Sequence, residues 1–299
     1  MADRPIPKLK IIRYWIEGLL AWLLFTVFSN IPVDKASDIG GFLGRMIGKW
    51  MKVDRIARHN MLRAIPDLAG EEKERVVEKM WENLGRTIAE FPHLFLISSE
   101  DFNQRITVEG AEHLEILKQN GGIFFSGHMA NWEILPRLAD EHGIKMALIF
   151  RQANNPYVNK FMLKIRQGGS LEIFSKGAVG AKNMLRALKA KKVIGMLVDQ
   201  KMNEGIEVPF FGMPAMTAPA VAKLALAFDC PIVPAFINRI GSVRFKVTIL
   251  PPLTITKTGD AQEDTYQIMR QINELLEAAI REHPEQWFWV HQRWGKGLV

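Results

Sequence analysis

The chain of 299 residues has one cysteine, Cys230, so no disulfide can close within it. The apolar run around it, Ala225 to Val233, reads as the setting of a buried structural thiol, with no base beside it in sequence to activate it. No H-E-x-x-H, C-x-x-C or comparable ligand cluster occurs, so no metal site is expected. The lack of a G-x-S-x-G elbow argues against a serine hydrolase. No repeat, low-complexity tract or Ser/Gly-rich linker divides the chain, and Pro251-Pro252 reads as a strand exit rather than a joint.

What is present is a large apolar complement. With 48% apolar and 24% charged residues the chain can bury one large core, and disorder is not expected. Of the net charge of +7, residues 1–63 carry +6. A nucleic-acid-binding protein would spread its basic residues along a groove or helix face of the folded domain, whereas here they surround the most apolar stretch. That stretch, Gly18 to Ile31, has fourteen residues without a charge, short of the about 20 that a spanning helix needs. Arg4, Lys8, Lys10 and Arg13 precede it, and Lys35, Arg45, Lys49, Lys52 and Arg55 follow. Cations on both flanks disfavour moving either across a membrane. A helix lying in the headgroup region of an anionic surface is therefore the expectation, ahead of a single span, a core helix or a cleaved signal, for which Ser29-Asn-Ile-Pro-Val33 lacks the small-x-small pattern.

Beyond this segment, apolar residues at helical spacing (Val77, Met80, Trp81, Leu84, Ile88, Phe91) predict an amphipathic helix within 72–97. Short apolar runs then alternate with helical patterns. Ile106–Val108, Ile123–Phe125, Lys145–Phe150, Leu171–Phe174, Val193–Val198, Ile232–Ile237 and Val243–Leu250 read as strands. Helices are expected over 111–118, 131–142, 156–167, 178–190, 217–228 and 265–282. The expected fold is α/β: a central mixed, largely parallel sheet flanked by helices, with an N-terminal membrane-associating helix. Residues 1–63 would form the basic, apolar membrane-associating segment and 64–299 the catalytic domain.

The run Gly127-His-Met-Ala-Asn-Trp-Glu133 follows the expected strand Gly121–Ser126 and contains an H-x4-E pair, His128 and Glu133. Imidazole titrates near neutral pH, so it can take a proton from a hydroxyl and return it to a leaving group. Glu133 would fix its tautomer. The spacing alone is equally that of a hydrogen-bonded turn histidine and a first-turn carboxylate.

Four further segments follow in order: Phe150-Arg-Gln-Ala-Asn-Asn-Pro156, Val198-Asp-Gln200, Val208-Pro-Phe-Phe-Gly-Met-Pro-Ala-Met-Thr217 and Pro284-Glu-Gln-Trp-Phe-Trp-Val-His-Gln-Arg-Trp294. Together with the H-x4-E run they resemble the lysophospholipid acyltransferase superfamily and, within it, the lipid A biosynthesis acyltransferases of the lauroyl/myristoyl type. The resemblance implies an enzyme at the cytoplasmic face of a bacterial inner membrane. Such an enzyme moves a fatty acyl chain from acyl carrier protein to a hydroxyl of a lipid A precursor, a late acylation in lipopolysaccharide biosynthesis, with no cofactor and no nucleic-acid partner. Acylation of a glycerolipid or a phosphatidylinositol mannoside from acyl-coenzyme A is the nearest enzymatic alternative. A non-catalytic membrane-associated binding protein is the alternative of another class.

Other residues have two readings each. Arg151 either grips a phosphate by bidentate hydrogen bonds or is a solvated arginine. Arg166 either complements a helix dipole or, as the resemblance implies, pairs with Asp199 after a later strand. Phe210 and Phe211 either line an acyl channel or pack in the core; Gly212 shapes the turn toward Thr217, expected at a helix N-terminus that attracts anions. Trp287, Trp289 and Trp294 are expected to pack, and His291 shows no paired carboxylate. In the expected mechanism His128 deprotonates the acceptor hydroxyl, the oxygen attacks the thioester directly, and backbone N–H groups near Asn131 receive the oxyanion.

Overall fold

The structure, a computed structural model, describes residues 8–68, 70–150, 153–166, 171–175 and 177–295. Its strands are β1 (Ile106–Glu109), β2 (Gly122–Ser126), β3 (Met146–Phe150), β4 (Glu172–Ser175), β5 (Val193–Leu197), β6 (Lys201–Phe210), β7 (Met213–Thr217), β8 (Ile232–Arg239) and β9 (Phe245–Ile249). Seven of them form one sheet in the order β1-β9-β8-β2-β5-β3-β4. Only the β8–β9 pair is antiparallel, so the sheet is mixed and largely parallel. Crossovers between parallel strands need helices on the faces. These are α6 (Glu115–Asn120), α7 (Ile134–Glu141), α8 (Pro156–Arg166), α9 (Ala178–Lys189), α10 (Ala220–Phe228) and α11 (Ala261–Glu282), the last capped by Asp260, whose side chain accepts from the Gln262 and Glu263 amides. β2 is buried at all five positions, which is why Gly-Ile-Phe-Phe-Ser reads as an unbroken run rather than an alternation.

The seven expected strands are the seven of this sheet. The remaining two form a separate antiparallel hairpin, β6–β7, where the sequence suggested only a turn at Gly212. Proline hid it. Pro209 and Pro214 face each other in its register, and a two-stranded ribbon tolerates residues without an N–H because both of its strands are edges. Phe211 (φ 52°) and Gly212 (φ 69°) form its two-residue turn, both left-handed, as the twist of a tight hairpin requires.

Four helices precede the sheet: α1 (Lys8–Ser29), α2 (Val33–Gly48), α3 (Asp54–Ala64) and α4 (Gly70–Glu90); α5 (Ser99–Arg105) leads into β1. α2 and α4 approach each other through glycines. A Cβ on Gly85 would lie 2.1 Å from the Gly40 carbonyl oxygen, and one on Gly44 2.2 Å from that of Trp81. The opposite face of α2 is bare: Ile39, Phe42, Met46 and Ile47 are all exposed, and Trp50, in the turn beyond, is 81% exposed. α1 is longer than its charge-free core suggested, because Arg13 and Glu17 pair within the helix and Glu17 also accepts from Asn155. Residues Lys10–Ser29 are thus long and apolar enough to cross a membrane. Yet α1 is docked along one side: Tyr14 O accepts from Asn155, Gly18 sits against Tyr157, Phe25 against Phe91 and Phe161, and Phe28 O bonds His93.

The glycine contact is backbone against backbone, so no side chain can move aside. Gly85→Ala is therefore expected to lower the melting temperature, by the equivalent of about 1–3 kcal/mol for overpacking. An unchanged or higher melting temperature would contradict the packing described, since alanine otherwise stabilises a helix interior.

Candidate active site

Strand register assembles the site. Ser126 ends β2 opposite Leu197, which ends β5, so the residues two places beyond each strand, His128 and Asp199, meet outside the carboxyl edge of the sheet, where open α/β sheets bind ligands. His128 Nδ1 lies 2.7 Å from Asp199 Oδ1, and the His128 backbone N–H donates to Asp199 Oδ2 at 2.8 Å. A third donor, Trp287 Nε1, reaches Oδ2 at 2.7 Å. Gly127 leaves room for this: a Cβ there would stand 3.4 Å from Asp199 Oδ2 and 2.9 Å from the Leu276 side chain.

Asp199 is 2% exposed. Burial alone would raise its pKa, but the His128 charge and the hydrogen bonds from His128 and Trp287 outweigh it and hold the carboxyl at about 2. An ionised carboxylate only accepts, so the bond assigns the proton to His128 Nδ1 and leaves Nε2 as the basic nitrogen. Trp132 and Phe288 flank the imidazole at 5.1 and 6.0 Å between ring centroids. The Gln200 amide nitrogen lies 3.4 Å from Nε2.

His128 belongs to the wall of a cavity of about 540 Å³, within the range of small-molecule sites. Its lining is mixed: His128, Glu133, Arg166, Gln200, Lys201 and His291 are polar, and Phe124, Leu135, Met146, Leu148 and Met196 are among the apolar residues. Gly195 leaves space for two of these side chains, since a Cβ there would stand 2.3 Å from the Met146 sulfur and 2.5 Å from Leu148. Among the described residues no group of three or more His, Cys, Asp or Glu side chains is placed to hold a metal. Cys230 is half-buried, away from this cavity, and burial pushes its thiol up to about 11.

Two pairings differ from those expected. Glu133 does not orient His128. It binds Arg166 instead, at 3.1 Å from Nε and 2.5 Å from Nη2, and Arg166, expected to pair with Asp199, also stacks over Phe91. The reason is positional: five residues after the histidine the chain has turned away from β5 and faces α8, while β5 delivers Asp199 directly to the ring. Asn131 is buried and donates to Glu90 rather than lining the cavity. Phe210 and Phe211 lie in an aromatic cluster with Trp287, Trp289 and Trp294, of the two readings the core one, and Gly212 forms the hairpin turn. Thr217 is not at a helix N-terminus; it ends β7, three residues before α10, fully buried and bonded to Arg293 Nη2 at 2.8 Å. Arg151 lies outside the described residues.

Sequence reasoning assigned no role to Gln200, quoted only within the Val198-Asp-Gln200 segment, and set His291 aside for want of a carboxylate. Both reach the cavity through tertiary contacts alone. The 286–288 segment pairs with the turn after β2: Met129 bridges Trp287, Phe288 N donates to His128 O at 3.0 Å, and Ala130 N to Gln286 O at 2.9 Å. That pairing brings His291 to the wall.

The profile of the family described as bacterial lipid A biosynthesis acyltransferase matches residues 5–296. Among similar proteins are the lipid A biosynthesis myristoyltransferase of Escherichia coli K12, 27% identical over 93% of this chain and 86% of its own length, and the lauroyltransferase of the same organism, 24% identical over 94% and 92%. Lipid A biosynthesis acyltransferase 2 of Shigella flexneri is 26% identical over 93% and 88%. These similarities, to a chain whose α/β sheet carries a histidine–carboxylate pair at its carboxyl edge beside a cavity, make the protein an enzyme of the acyltransferase class. The chain belongs to the bacterial lipid A biosynthesis acyltransferase family.

His291 generates a pH dependence. Burial holds its pKa down to about 4, against the opposing pull of Asp199, while the unfolded chain protonates near 6.5. Between these values the unfolded state binds more protons, so stability is intact above about pH 6.5 and falls as pH drops toward 4. His291→Gln should flatten that part of a urea-unfolding pH series. An unchanged slope in the variant would show that His291 is not the group responsible.

Proposed function

We propose that this enzyme transfers a fatty acyl chain from acyl carrier protein to a hydroxyl of a lipid A precursor, a late acylation at the cytoplasmic face of the inner membrane. The observation that carries the reading is the His128–Asp199 pair, with His128 in the wall of a cavity that both charged and apolar side chains line. The apolar side chains suit a fatty acyl chain. The Glu133–Arg166 pair and Lys201 in the same lining suit a phosphorylated, sugar-based acceptor.

Proton bookkeeping follows from the tautomer. His128 Nε2 takes the proton of the acceptor hydroxyl as its oxygen attacks the thioester carbonyl, the Asp199 carboxylate stabilises the imidazolium, and collapse of the tetrahedral intermediate expels the thiolate, which takes the proton from Nε2. Gln200, beside Nε2, and the N–H groups at the entrance to α7 are the donors assigned to the oxyanion. Direct transfer needs no acyl-enzyme, and the cavity wall presents no thiol nucleophile.

The N-terminal segment, 1–63 in this reading, lies on the membrane rather than through it. α1 contacts the rest of the chain from Tyr14 to Phe28, a length of about 21 Å at 1.5 Å per residue. A helix immersed in about 30 Å of hydrocarbon has no such length left for docking to a catalytic domain in water. The bare apolar face of α2, ending at Trp50 with Lys49 over its ring at 5.7 Å, extends the same surface.

Deleting the gene from its host and restoring it should remove and return one acyl chain in the mass spectrum of lipid A. Glycerophospholipid masses should stay as they were. A lipid A spectrum indifferent to the deletion, with altered glycerolipids, would replace this substrate by the glycerolipid alternative.

A further inference from the structure

The catalytic turn contains a residue in a costly conformation. Ala130, two places after His128 and fully buried, has φ 45°, in the left-handed region that a non-glycine residue occupies only when its surroundings impose it. Its carbonyl oxygen accepts from Asn83 Nδ2 at 3.1 Å and from Thr87 Oγ1 at 2.9 Å, both on α4, and its N–H is held by Gln286 O. The next residue, Asn131, donates its side-chain amide to Glu90 Oε2 at 2.7 Å.

Glu90 ends α4 and is 2% exposed, and it lines no part of the catalytic cavity. Its carboxylate has four donors. Oε1 accepts from Ser37 Oγ on α2 at 2.6 Å and from Arg239 Nη1 on β8 at 2.5 Å; Oε2 accepts from Asn131 and from Arg239 Nη2 at 3.0 Å. Arg239 Nε in turn donates to Asn83 Oδ1 at 2.9 Å, fixing the amide that holds the Ala130 carbonyl. The Arg239 backbone exchanges two bonds with the Gln286 side chain, on the segment that holds the Ala130 N–H. Every anchor of the left-handed turn except Thr87 is therefore bonded to Glu90 or to its partner.

A buried ion pair contributes little net stability, because desolvation offsets attraction, and apolar residues of similar volume often do as well. What this one fixes is geometry. We propose that Glu90 is a positioning residue for acyl transfer, holding the Ala130–Asn131 turn so that His128 meets the acceptor hydroxyl in one orientation. Displacement of a reacting group by about 1 Å can lower a rate by about a hundredfold. Ser37 makes the same carboxylate the link between the catalytic turn and α2, whose other face is the apolar one.

The inference rests on the acyltransferase reading, so the full-length wild-type enzyme must first transfer acyl chains in the assay. If it does not, that reading fails and not this one. Glu90→Gln is expected to lower kcat by about tenfold or more with KM unchanged. Since that variant also strands Arg239, Asn131→Ala is the second: it leaves the Glu90–Arg239 pair and Ser37 in place and should give the same split, with little change in melting temperature. Ile280→Val, a fully buried change on α11 far along the chain from the turn, supplies a destabilised control expected to keep its kcat. Wild-type kcat in folded Asn131→Ala, a rise in KM alone, or an equal kcat loss in the Ile280→Val control would each overturn the proposal.

Discussion

The bonds converging on the Asp199 carboxylate are the constraint on which the site depends. A buried carboxylate is tolerable only when its lone pairs are filled, and here they are filled from two segments distant in sequence: the His128 backbone and ring after β2, and Trp287 from the C-terminal segment. The same bonds that make the charge tolerable fix the tautomer of the base. Structure and chemistry are satisfied by one arrangement, and the 286–288 segment is pinned where it can complete both the cavity wall and the support of the Ala130 turn.

The sheet was legible because each of its strands is a short apolar run separated by a helical pattern, and parallel strands buried on both faces have little choice of composition. The hairpin β6–β7 was not, since its two prolines and adjacent phenylalanines mimic a loop. In the site, the H-x4-E spacing pointed to His128 but named the wrong partner: sequence proximity favoured Glu133, whereas the β2–β5 register decides for Asp199. Registers between strands some seventy residues apart are not written in local spacing. Gln200, His291 and Glu90 share that difficulty, each acquiring its place from tertiary contacts, although the Pro284–Trp294 segment had been marked by the resemblance.

Charged and apolar side chains share the lining of the cavity. Glu133 and Arg166 neutralise each other, which leaves Lys201 as the cation of the lining, while Met146 and Leu148 lie over Gly195. α1 and α2 place their exposed apolar residues outside the domain rather than within it. The Gly40, Gly44 and Gly85 contacts hold α2 against α4, the helix that ends at Glu90, so the proposed membrane face and the catalytic turn are joined through one rigid helix pair.

The central claim is that His128, polarised by Asp199, removes the proton of the acceptor hydroxyl. The direct measurement is the acyl-transfer rate at saturating donor and acceptor for purified, folded His128→Ala and Asp199→Asn. Both rates should fall by about a hundredfold or more, the scale of a lost general base or of its tautomer-fixing partner. Turnover near that of the wild type in either variant would contradict the account.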